Sequence, residues 1–414
     1  MTAEPFNLRR IALPAFGPSF LFGLGEGCIL PVIALGVRQL GGSVALAALV
    51  VTLIGVGSLV TNIPASFITM RYGERWAIVG AALWGAVAML LCGVASSLWA
   101  FAAGVFMIGM AAAVFGLARQ SYLTEVVPFR YRARALSTLG GVMRIGLFIG
   151  PFVSAALIHA MGIGGAYWAG AGALLLAAVV AVRMPDLPEP ASAAAPADLA
   201  AVRAVPTIRS IGNDHLRLFL TVGVGVILVS AVRASRQAVI PLWGESIGLE
   251  AAVTSLIYGL AGGIDMLVFY PAGKVMDRKG RAWVAVPSMT IMGIALLLTP
   301  FTHGATTLLL ASLAIGFGNG IGSGMIMTLG ADYSPVAGRA HFLGLWRLMS
   351  DIGSTAGPAL LSAVTALVSL ATGIWCTGGL GLAAAAVLWY WIPRTRGDDG
   401  GPPSPPVRPP SPPP

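Results

Sequence analysis

Residues 271–283 read PAGKVMDRKGRAW, and residues 64–76 read PASFITMRYGERW. A shift of 207 residues without gaps superimposes the two segments and aligns their proline, arginine, glycine and tryptophan. Because these residue types have specific backbone or charge roles, a shared apolar composition does not account for the match. Self-similarity at one fixed offset indicates a duplicated structural unit. The sequence therefore predicts two halves of the same architecture.

The same offset aligns further polar, glycine and proline residues along the chain. Three of the matches lie in the predicted cytoplasmic loop after the fourth span of each half: Glu125 with Asp332, Pro128 with Pro335 and Arg132 with Arg339. Six more residues form a helix-bend motif in both halves: Gly146, Gly150 and Pro151 align with Gly353, Gly357 and Pro358. Glycine and proline inside a membrane helix permit close helix approach and a bend. We expect these six residues to be structural.

The composition excludes most classes of soluble protein. Of the 414 residues, 57% are hydrophobic and only 10% are charged, whereas soluble domains contain about 25% charged residues. Lipid must therefore surround most of the chain. The three cysteines, Cys28, Cys92 and Cys376, lie in separate apolar runs and indicate neither a disulfide framework nor a metal site. Since no phosphate-binding motif or nucleophile–base arrangement is present, we expect no enzyme activity and no cofactor.

Runs of about 20 apolar residues predict membrane-spanning helices. The sequence contains twelve such runs: 13–37, 44–68, 77–95, 98–121, 137–160, 163–182, 217–243, 251–272, 283–301, 306–330, 342–366 and 369–392. They predict an all-α membrane protein made of two parallel six-helix bundles. The predicted parts are an N-terminal bundle at 1–183, a cytoplasmic linker at 184–215, a C-terminal bundle at 216–393 and a Pro-rich disordered tail at 394–414.

The basic residues indicate the orientation of the chain. With a cytoplasmic N-terminus, the predicted inner loops contain most of the arginines and lysines, and the predicted outer loops contain only Arg38. This bias follows the positive-inside rule and accounts for the net charge of +9 without nucleic acid as a partner. Six spans in each half give both halves the same orientation, which is typical of secondary transporters. We expect both termini to lie in the cytoplasm. The protein itself is expected in the cell membrane, that is, a bacterial inner membrane or a plasma membrane.

Two motifs resemble those of the Major Facilitator Superfamily. Residues 273–281, GKVMDRKGR, are similar to its cytoplasmic loop signature, with Gly273, Asp277, Arg278, Gly280 and Arg281 at the motif positions. The first half departs from this signature, since Met70 replaces the acid and Ser66 the first glycine. A carboxylate among arginines at a helix end can accept their hydrogen bonds. The resemblance therefore implies that Asp277 belongs to a latch that holds one conformation closed.

The helix-bend motif of the fifth span resembles that of the twelve-span drug:proton antiporters in this superfamily. The resemblance implies a transporter with a substrate cavity between the bundles, lined by the first, seventh and tenth spans among others. Val105 stands where many of these antiporters have an arginine, so their proton-relay scheme does not transfer directly.

Glu26 and Arg233 are the first candidates for transport residues. A charge at the centre of a span costs roughly 2.5–3.5 kcal/mol, so it needs a partner, a water-filled cavity or a function. Glu26 lies near the middle of the first span, and the repeat aligns it with Arg233 in the seventh. We hypothesise that Glu26 carries a proton or binds a cation. Arg233, with Arg236, is then its counter-charge or the ligand of an anionic substrate; a fixed structural pair is the alternative.

Four more charged residues within the spans suggest gates or charge pairs. Arg144 and Asp265 lie at similar depth in the fifth and eighth spans, which are in contact in the resembled fold, so we expect an inner gate or strut. Arg347 and Asp351 are four residues apart on one helix face, where they can neutralise each other. Asn319, in a glycine-rich stretch of the tenth span, is a candidate substrate ligand.

Two functions fit these features. The first is proton-coupled efflux of amphipathic or drug-like compounds, which the motif of the fifth span and the lone acid of the first span favour. The second is an ion-coupled symporter that imports an anionic metabolite bound by the arginines of the seventh span. In either case we expect a monomer in the lipid bilayer with a small-molecule substrate, and protons as the coupling ion.

Overall fold

The computed structural model describes residues 8–127, 129–185, 208–335 and 339–398. The described residues are almost entirely helical and contain no strand. Most of the predicted linker and the tail after residue 398 lie outside these ranges.

The helices in chain order are α1 (Leu8–Ile29), α2 (Ile33–Gln39), α3 (Val44–Val94), α4 (Leu98–Val126), α5 (Phe129–Met161), α6 (Gly164–Val182), α7 (Ile208–Asp214), α8 (Leu216–Leu218), α9 (Val224–Ser246), α10 (Ala251–Lys279), α11 (Ala282–Leu298), α12 (Ala305–Ile321), α13 (Met325–Tyr333), α14 (Arg339–Leu367) and α15 (Leu370–Asp398). A π-helical turn at Phe219–Gly223 joins α8 to α9, and a 3₁₀ turn at Thr299–Phe301 follows α11.

These helices cross the membrane twelve times within the described residues. Eleven segments are long and apolar enough to span it. The twelfth crossing is α14, which is less apolar because it contains Arg347, Asp351 and several small polar residues. The predicted fold class is confirmed, with spans two and three joined in α3 through a kink at Gly73.

Some element limits differ from the sequence prediction. The first span is two helices rather than one, because Pro31, which lacks a backbone N–H, lies between α1 and α2. The tenth span is also two helices, α12 and α13. A short helix, α7, lies within the predicted linker, and α15 continues to Asp398, beyond the predicted start of the tail.

The two halves have the same internal packing. In the first half α1 packs against α5 and α6, and α3 packs against α4; in the second half α9 packs against α14 and α15, and α10 against α12. Across the interface α3 contacts α14, and α5 contacts α10. Each of these contacts has its equivalent under the repeat, as two parallel units related by a pseudo-two-fold axis require.

The helix-bend motif produces close backbone contacts in two of these helix pairs. The backbone of α1 at Phe20 and Gly27 lies directly against Gly146 and Gly150, where a Cβ would collide with it. In the second half, the α9 backbone at Ile227 and Ala231 lies in the same way against the two aligned glycines, Gly353 and Gly357. Pro151 and Pro358 each follow the second glycine inside α5 and α14.

Two glycines turn the chain at the equivalent loops of each half. Gly73 has φ 77° and ψ 160°, and Gly280 has φ 95° and ψ 169°. Only glycine adopts this region without strain. Next to Gly280, Arg281 Nε donates to Asp332 of α13 at 2.7 Å, and Arg281 Nη1 donates to the carbonyl of Met276 at 3.0 Å. The loop is therefore tied to the inner part of the tenth span.

The remaining loop-motif residues lie on α10. Arg278 is exposed, and Gly273 has open space around its Cα. The side chain of Asp277 lies outside the part of the structure that is described, so the predicted latch remains a prediction.

Candidate transport site

A cavity of about 430 Å³ lies between the two halves. Its wall comes from α3 and α4 of the first half and from α9, α12, α13 and α14 of the second. Val51, Ile54 and Ile326 provide apolar surface, and Arg233, Arg236, Asn319 and Asp351 are among the polar residues. The mixed wall suits a compound with both an apolar and a polar part.

Asp265 and the residues around it form a polar cluster beside this cavity. Arg236 lies 3.5 Å from the Asp265 carboxylate, and both side chains are 17% exposed. Asn319 donates to the same carboxylate at 2.5 Å. A second cavity of about 140 Å³ adjoins the cluster, and Arg236 and Gln237 line both cavities. The predicted candidates Arg236, Asp265 and Asn319 are therefore brought together.

Arg144 reaches this cluster from the first half but does not form the predicted ion pair with Asp265. It donates a hydrogen bond to Ser323 instead, and its guanidinium lies 4.7 Å from the ring centroid of Phe269. Asp265 acts on Arg144 electrostatically, while its direct partner is Arg236, which lies closer. The strut between the halves is therefore Arg144 with Ser323.

The partner of Arg144 lies in the break of the tenth span. α12 ends at Ile321, Gly324 has φ 78°, and α13 begins at Met325. A Cβ at Gly322 would collide with the guanidinium of Arg233, so that side chain packs directly on the turn. A discontinuous helix in a membrane is tolerated where the chain lines a cavity or is buried in protein. This break places backbone polar groups next to the charged cluster.

Glu26 lies apart from Arg233 in the structure. The residues that line the central cavity do not include Glu26. Gly25 packs on α6 and Gly27 on α5, so Glu26 is held between closely packed helices. The charged side chain that acts on it is Arg119 of α4, whereas the charged groups that act on Arg233 are Asp265, Arg236 and Arg144. The repeat aligns Glu26 with Arg233, but no ion pair joins the two among the described residues; Tyr258 is acted on both by Glu26 and by Arg236 and Asp265.

From the sequence, Arg119 was interpreted as a charge at the end of the fourth span with no role in transport. Its guanidinium lies 5.9 Å from the Phe115 ring centroid, and it donates to the Met143 sulfur at 2.7 Å. No local pattern relates α1 to α4, so the electrostatic influence of Arg119 on Glu26 appears only in three dimensions.

Asp351 of α14 joins the two halves. Asn62 of α3 donates to its carboxylate at 3.2 Å, and Arg347, one helical turn away, lies 3.9 Å from it. Asp351 also lines the central cavity. The pair predicted on one helix face is therefore present, with an additional contact across the interface.

The outer ends, which are those predicted to face away from the cytoplasm, are joined by a second ion pair. Arg38 Nε lies 3.0 and 3.2 Å from the two carboxylate oxygens of Glu245. Ser362 of α14 donates to the carbonyl of Ala45 in α3 at 2.7 Å. Arg38–Glu245 and Ser362–Ala45 therefore join the outer ends of the two halves.

Comparison with known families identifies the architecture. A family model described as "Major Facilitator Superfamily" matches residues 16–329 and 222–412. The chain belongs to this superfamily. As a Major Facilitator protein with many apolar helices, it is a multi-pass transporter of the cell membrane.

Curated relatives of similar length support this membership. The chain is 25% identical over 407 residues to the "Multidrug resistance protein MdtG" of Escherichia coli strain 55989, with 95% of this chain and 97% of that protein covered. It is 24% identical over 408 residues to the MdtG protein of Salmonella typhimurium strain LT2, with 95% and 98% covered.

Solved structures of other Major Facilitator transporters share the fold. A bacterial homologue of the human lysosomal transporter Spinster, inward-facing and unoccupied, has a TM-score of 0.79 at 13% identity, over 96% of this chain and 99% of that one. The nucleoside transporter NupG has a TM-score of 0.72 at 15% identity, over 93% and 100%. A D-xylose–proton symporter has a TM-score of 0.68 at 17% identity, over 94% and 99%.

Proposed function

We propose that the protein exports amphipathic or drug-like small molecules in exchange for protons. The central cavity carries this proposal, because its wall combines apolar residues with arginine, aspartate and asparagine and because it lies between two halves of equivalent structure. A substrate bound there contacts both halves, so rocking of one half against the other exposes it to either side in turn. The similarity to multidrug resistance proteins over the full chain supports export.

Glu26 is the proposed proton carrier. It is a half-buried carboxyl group in α1 with Arg119 as its charged neighbour. A carboxyl group that moves between an apolar site and one close to an arginine changes its proton affinity. Rocking of the halves is therefore expected to change how strongly Glu26 holds its proton, which couples proton release to substrate movement.

The second candidate, import of an anionic metabolite with an ion, is favoured by one observation. The cluster around Asp265 contains Arg144, Arg233 and Arg236, so arginines outnumber the carboxylate. The two candidates differ in direction, and both use the same cavity.

Efflux is tested with N-phenyl-1-naphthylamine, an uncharged amphipathic probe that fluoresces in membranes. Cells that lack their own major pumps should accumulate less probe when they express this protein, and an uncoupler should abolish the difference. Equal accumulation in expressing and control cells, with alkalinisation of the medium on addition of a metabolite, would favour the symporter instead.

We also propose that the protein is a monomer with both termini in the cytoplasm and with bundles at 1–183 and 216–393. The excess of arginine in the loops of one side supports this orientation. A reporter that fluoresces only in the cytoplasm, fused after Pro414, tests this orientation, and we expect it to fluoresce. Activity of a periplasmic reporter fused at the same position would contradict the orientation.

A further inference from the structure

We propose that Arg233, Arg144 and Arg236 form a subsite for the carboxylate, sulfonate or phosphate group of an amphipathic substrate. This inference rests on the proposed function, since it specifies which compounds the same cavity accepts. The subsite lies where α9, α5 and the break of the tenth span meet.

Charge balance is the first argument. The charged groups that act on Arg233 are Arg236, Arg144 and Asp265. These four side chains contain three positive charges and one negative charge. Asp265 is already engaged by Arg236 at 3.5 Å and by Asn319. Charges within a membrane are retained at a cost unless they are balanced, and a bound anion supplies the missing negative charge.

Unused donors are the second argument. Nε and Nη2 of Arg233 are fully buried and have no hydrogen-bond acceptor among the described residues, and the same is true of Nη1 of Arg144. A buried donor without an acceptor is destabilising. The planar guanidinium presents its donors in the geometry that an oxyanion accepts, often with two parallel hydrogen bonds. The donors are therefore of the kind that a carboxylate, sulfonate or phosphate satisfies.

The backbone of the broken helix is the third argument. α13 begins at Met325, so its N-terminal turn lies beside the guanidinium that packs on Gly322. The N-terminal end of a helix has a partial positive charge and free N–H groups. Ile326, in that first turn, lines the central cavity together with Arg233. The helix end therefore adds to the positive field of the three arginines.

The position of the subsite relates binding to transport. Arg144 belongs to the first half, and Arg233 and Arg236 belong to the second. An anion held by both groups bridges the halves, and its apolar part has Val51 and Ile54 of α3 available in the adjoining wall. Nη2 of Arg144 donates to Ser323 while its Nη1 has no acceptor among the described residues, so a bound anion adds to a contact that already joins the halves.

The test is a binding experiment on the purified full-length protein in an uncharged detergent. Three probes share one aromatic body and differ in charge: naphthalene-2-sulfonate, naphthalene-2-sulfonamide and 2-naphthylmethylammonium. Calorimetry should show the sulfonate binding at least tenfold more tightly than the other two. Arg233→Gln should weaken sulfonate binding at least tenfold. Arg183→Gln, which removes an exposed arginine at the end of α6, should change it less than twofold.

A gain of binding distinguishes this role from a structural one. Asp265→Asn removes the competing carboxylate and should strengthen sulfonate binding three- to tenfold, whereas a purely structural cluster would lose binding or stability. Equal affinity for the three probes, a preference for the cation, or weaker sulfonate binding in Asp265→Asn would overturn the proposal. The Asp265→Asn measurement still tests the proposal if the Arg233→Gln variant does not fold.

Failure of the subsite and failure of the proposed function are separable. Binding is measured on the purified protein without a gradient, so a protein that prefers the sulfonate but exports neither N-phenyl-1-naphthylamine nor naphthalene-2-sulfonate contradicts only the proposed function. Efflux of N-phenyl-1-naphthylamine by a protein that binds the three probes equally contradicts only the anion subsite.

Discussion

Arg38 and Glu245 form an ion pair across the interface of the two halves, and the repeat aligns the same two residues with each other. Their separation is 207 residues, the offset that superimposes the halves, so two equivalent positions meet at the pseudo-two-fold axis. Arg38 is held further by a 2.6 Å hydrogen bond from Nη1 to the carbonyl of Gly42. A pair of opposite charges at this axis joins the outer ends only when the halves approach there. The ion pair is therefore expected to stabilise a conformation that is closed on the outer side.

Reversing one charge of this pair should open the outer side. Each side chain is about a third exposed, 34% for Arg38 and 33% for Glu245, so solvent screening limits the contribution to roughly 0.2–1 kcal/mol. We expect Arg38→Glu to raise the ratio of outer-open to outer-closed molecules up to about fivefold, because like charges then face each other. Spin labels at Ser96→Cys and His303→Cys, exposed outer-loop positions, would report this ratio in a protein without its three native cysteines.

The double variant provides the control for this prediction. Arg38→Glu combined with Glu245→Arg restores opposite charges, so the ratio should return toward that of the unmodified protein. Additive effects of the two changes would show that the pair does not act as a lock.

Glu26→Gln should remove proton coupling while the central cavity continues to bind substrate. The substitution preserves size and removes the titrating group, and Glu26 does not line the cavity. In proteoliposomes with an imposed pH gradient, we expect transport of N-phenyl-1-naphthylamine to fall at least tenfold with binding affinity within about twofold. Glu250→Gln, at an exposed acid before α10, is the matched control and should retain transport. Gradient-driven transport at the unmodified rate in Glu26→Gln would exclude this residue as the carrier.

Gly146→Ala should destabilise the protein, because a Cβ at this position collides with the carbonyl of Phe20. Overpacking of this kind typically costs about 1–3 kcal/mol. Gly140→Ala lies in the same helix with open space around it and should be neutral or slightly stabilising. The thermal unfolding midpoints of both variants, measured at one scan rate in one detergent, test the difference. Equal midpoints would mean that α1 and α5 do not pack as closely as described.

Gly280→Ala should also destabilise the protein, for a backbone reason rather than a packing reason. Its φ of 95° and ψ of 169° lie in a region that only glycine occupies without strain, and such strain costs about 1–3 kcal/mol. Gly273→Ala lies on α10 with open space around it and serves as the control. The same unfolding assay applies, and a Gly280→Ala midpoint equal to that of Gly273→Ala would refute the strain.

The sequence predicted the number and type of the spans because membrane crossing depends on local composition. The break at residues 322–324 in the tenth span was not predicted, since glycines in a membrane helix are equally compatible with close packing. The ion pair of Arg38 with Glu245 was predictable in principle, because the repeat aligns the two residues. The sequence analysis assigned Arg38 to an outer loop and predicted no contact for it.

Side-chain partners within the charged cluster were beyond sequence reasoning. The predicted span limits placed Arg144 and Asp265 at similar depth, but Arg236 is the residue that pairs with Asp265. Likewise, alignment of Glu26 with Arg233 says that the two are equivalent, not that they touch. Equivalent residues meet only near the axis that relates the halves.

Reciprocal movement of the two ends of the molecule is the central claim, and pulsed spin-label distances measure it directly. One pair of labels at Ser96→Cys and His303→Cys reports the outer ends. A second pair at Arg71→Cys and Arg278→Cys, exposed positions on the side predicted to be cytoplasmic, reports the inner ends. When the pH or the transported compound shifts the equilibrium, the outer distance should lengthen as the inner distance shortens. If both distances stay fixed, or change in the same direction, while transport proceeds, the alternating-access account is contradicted.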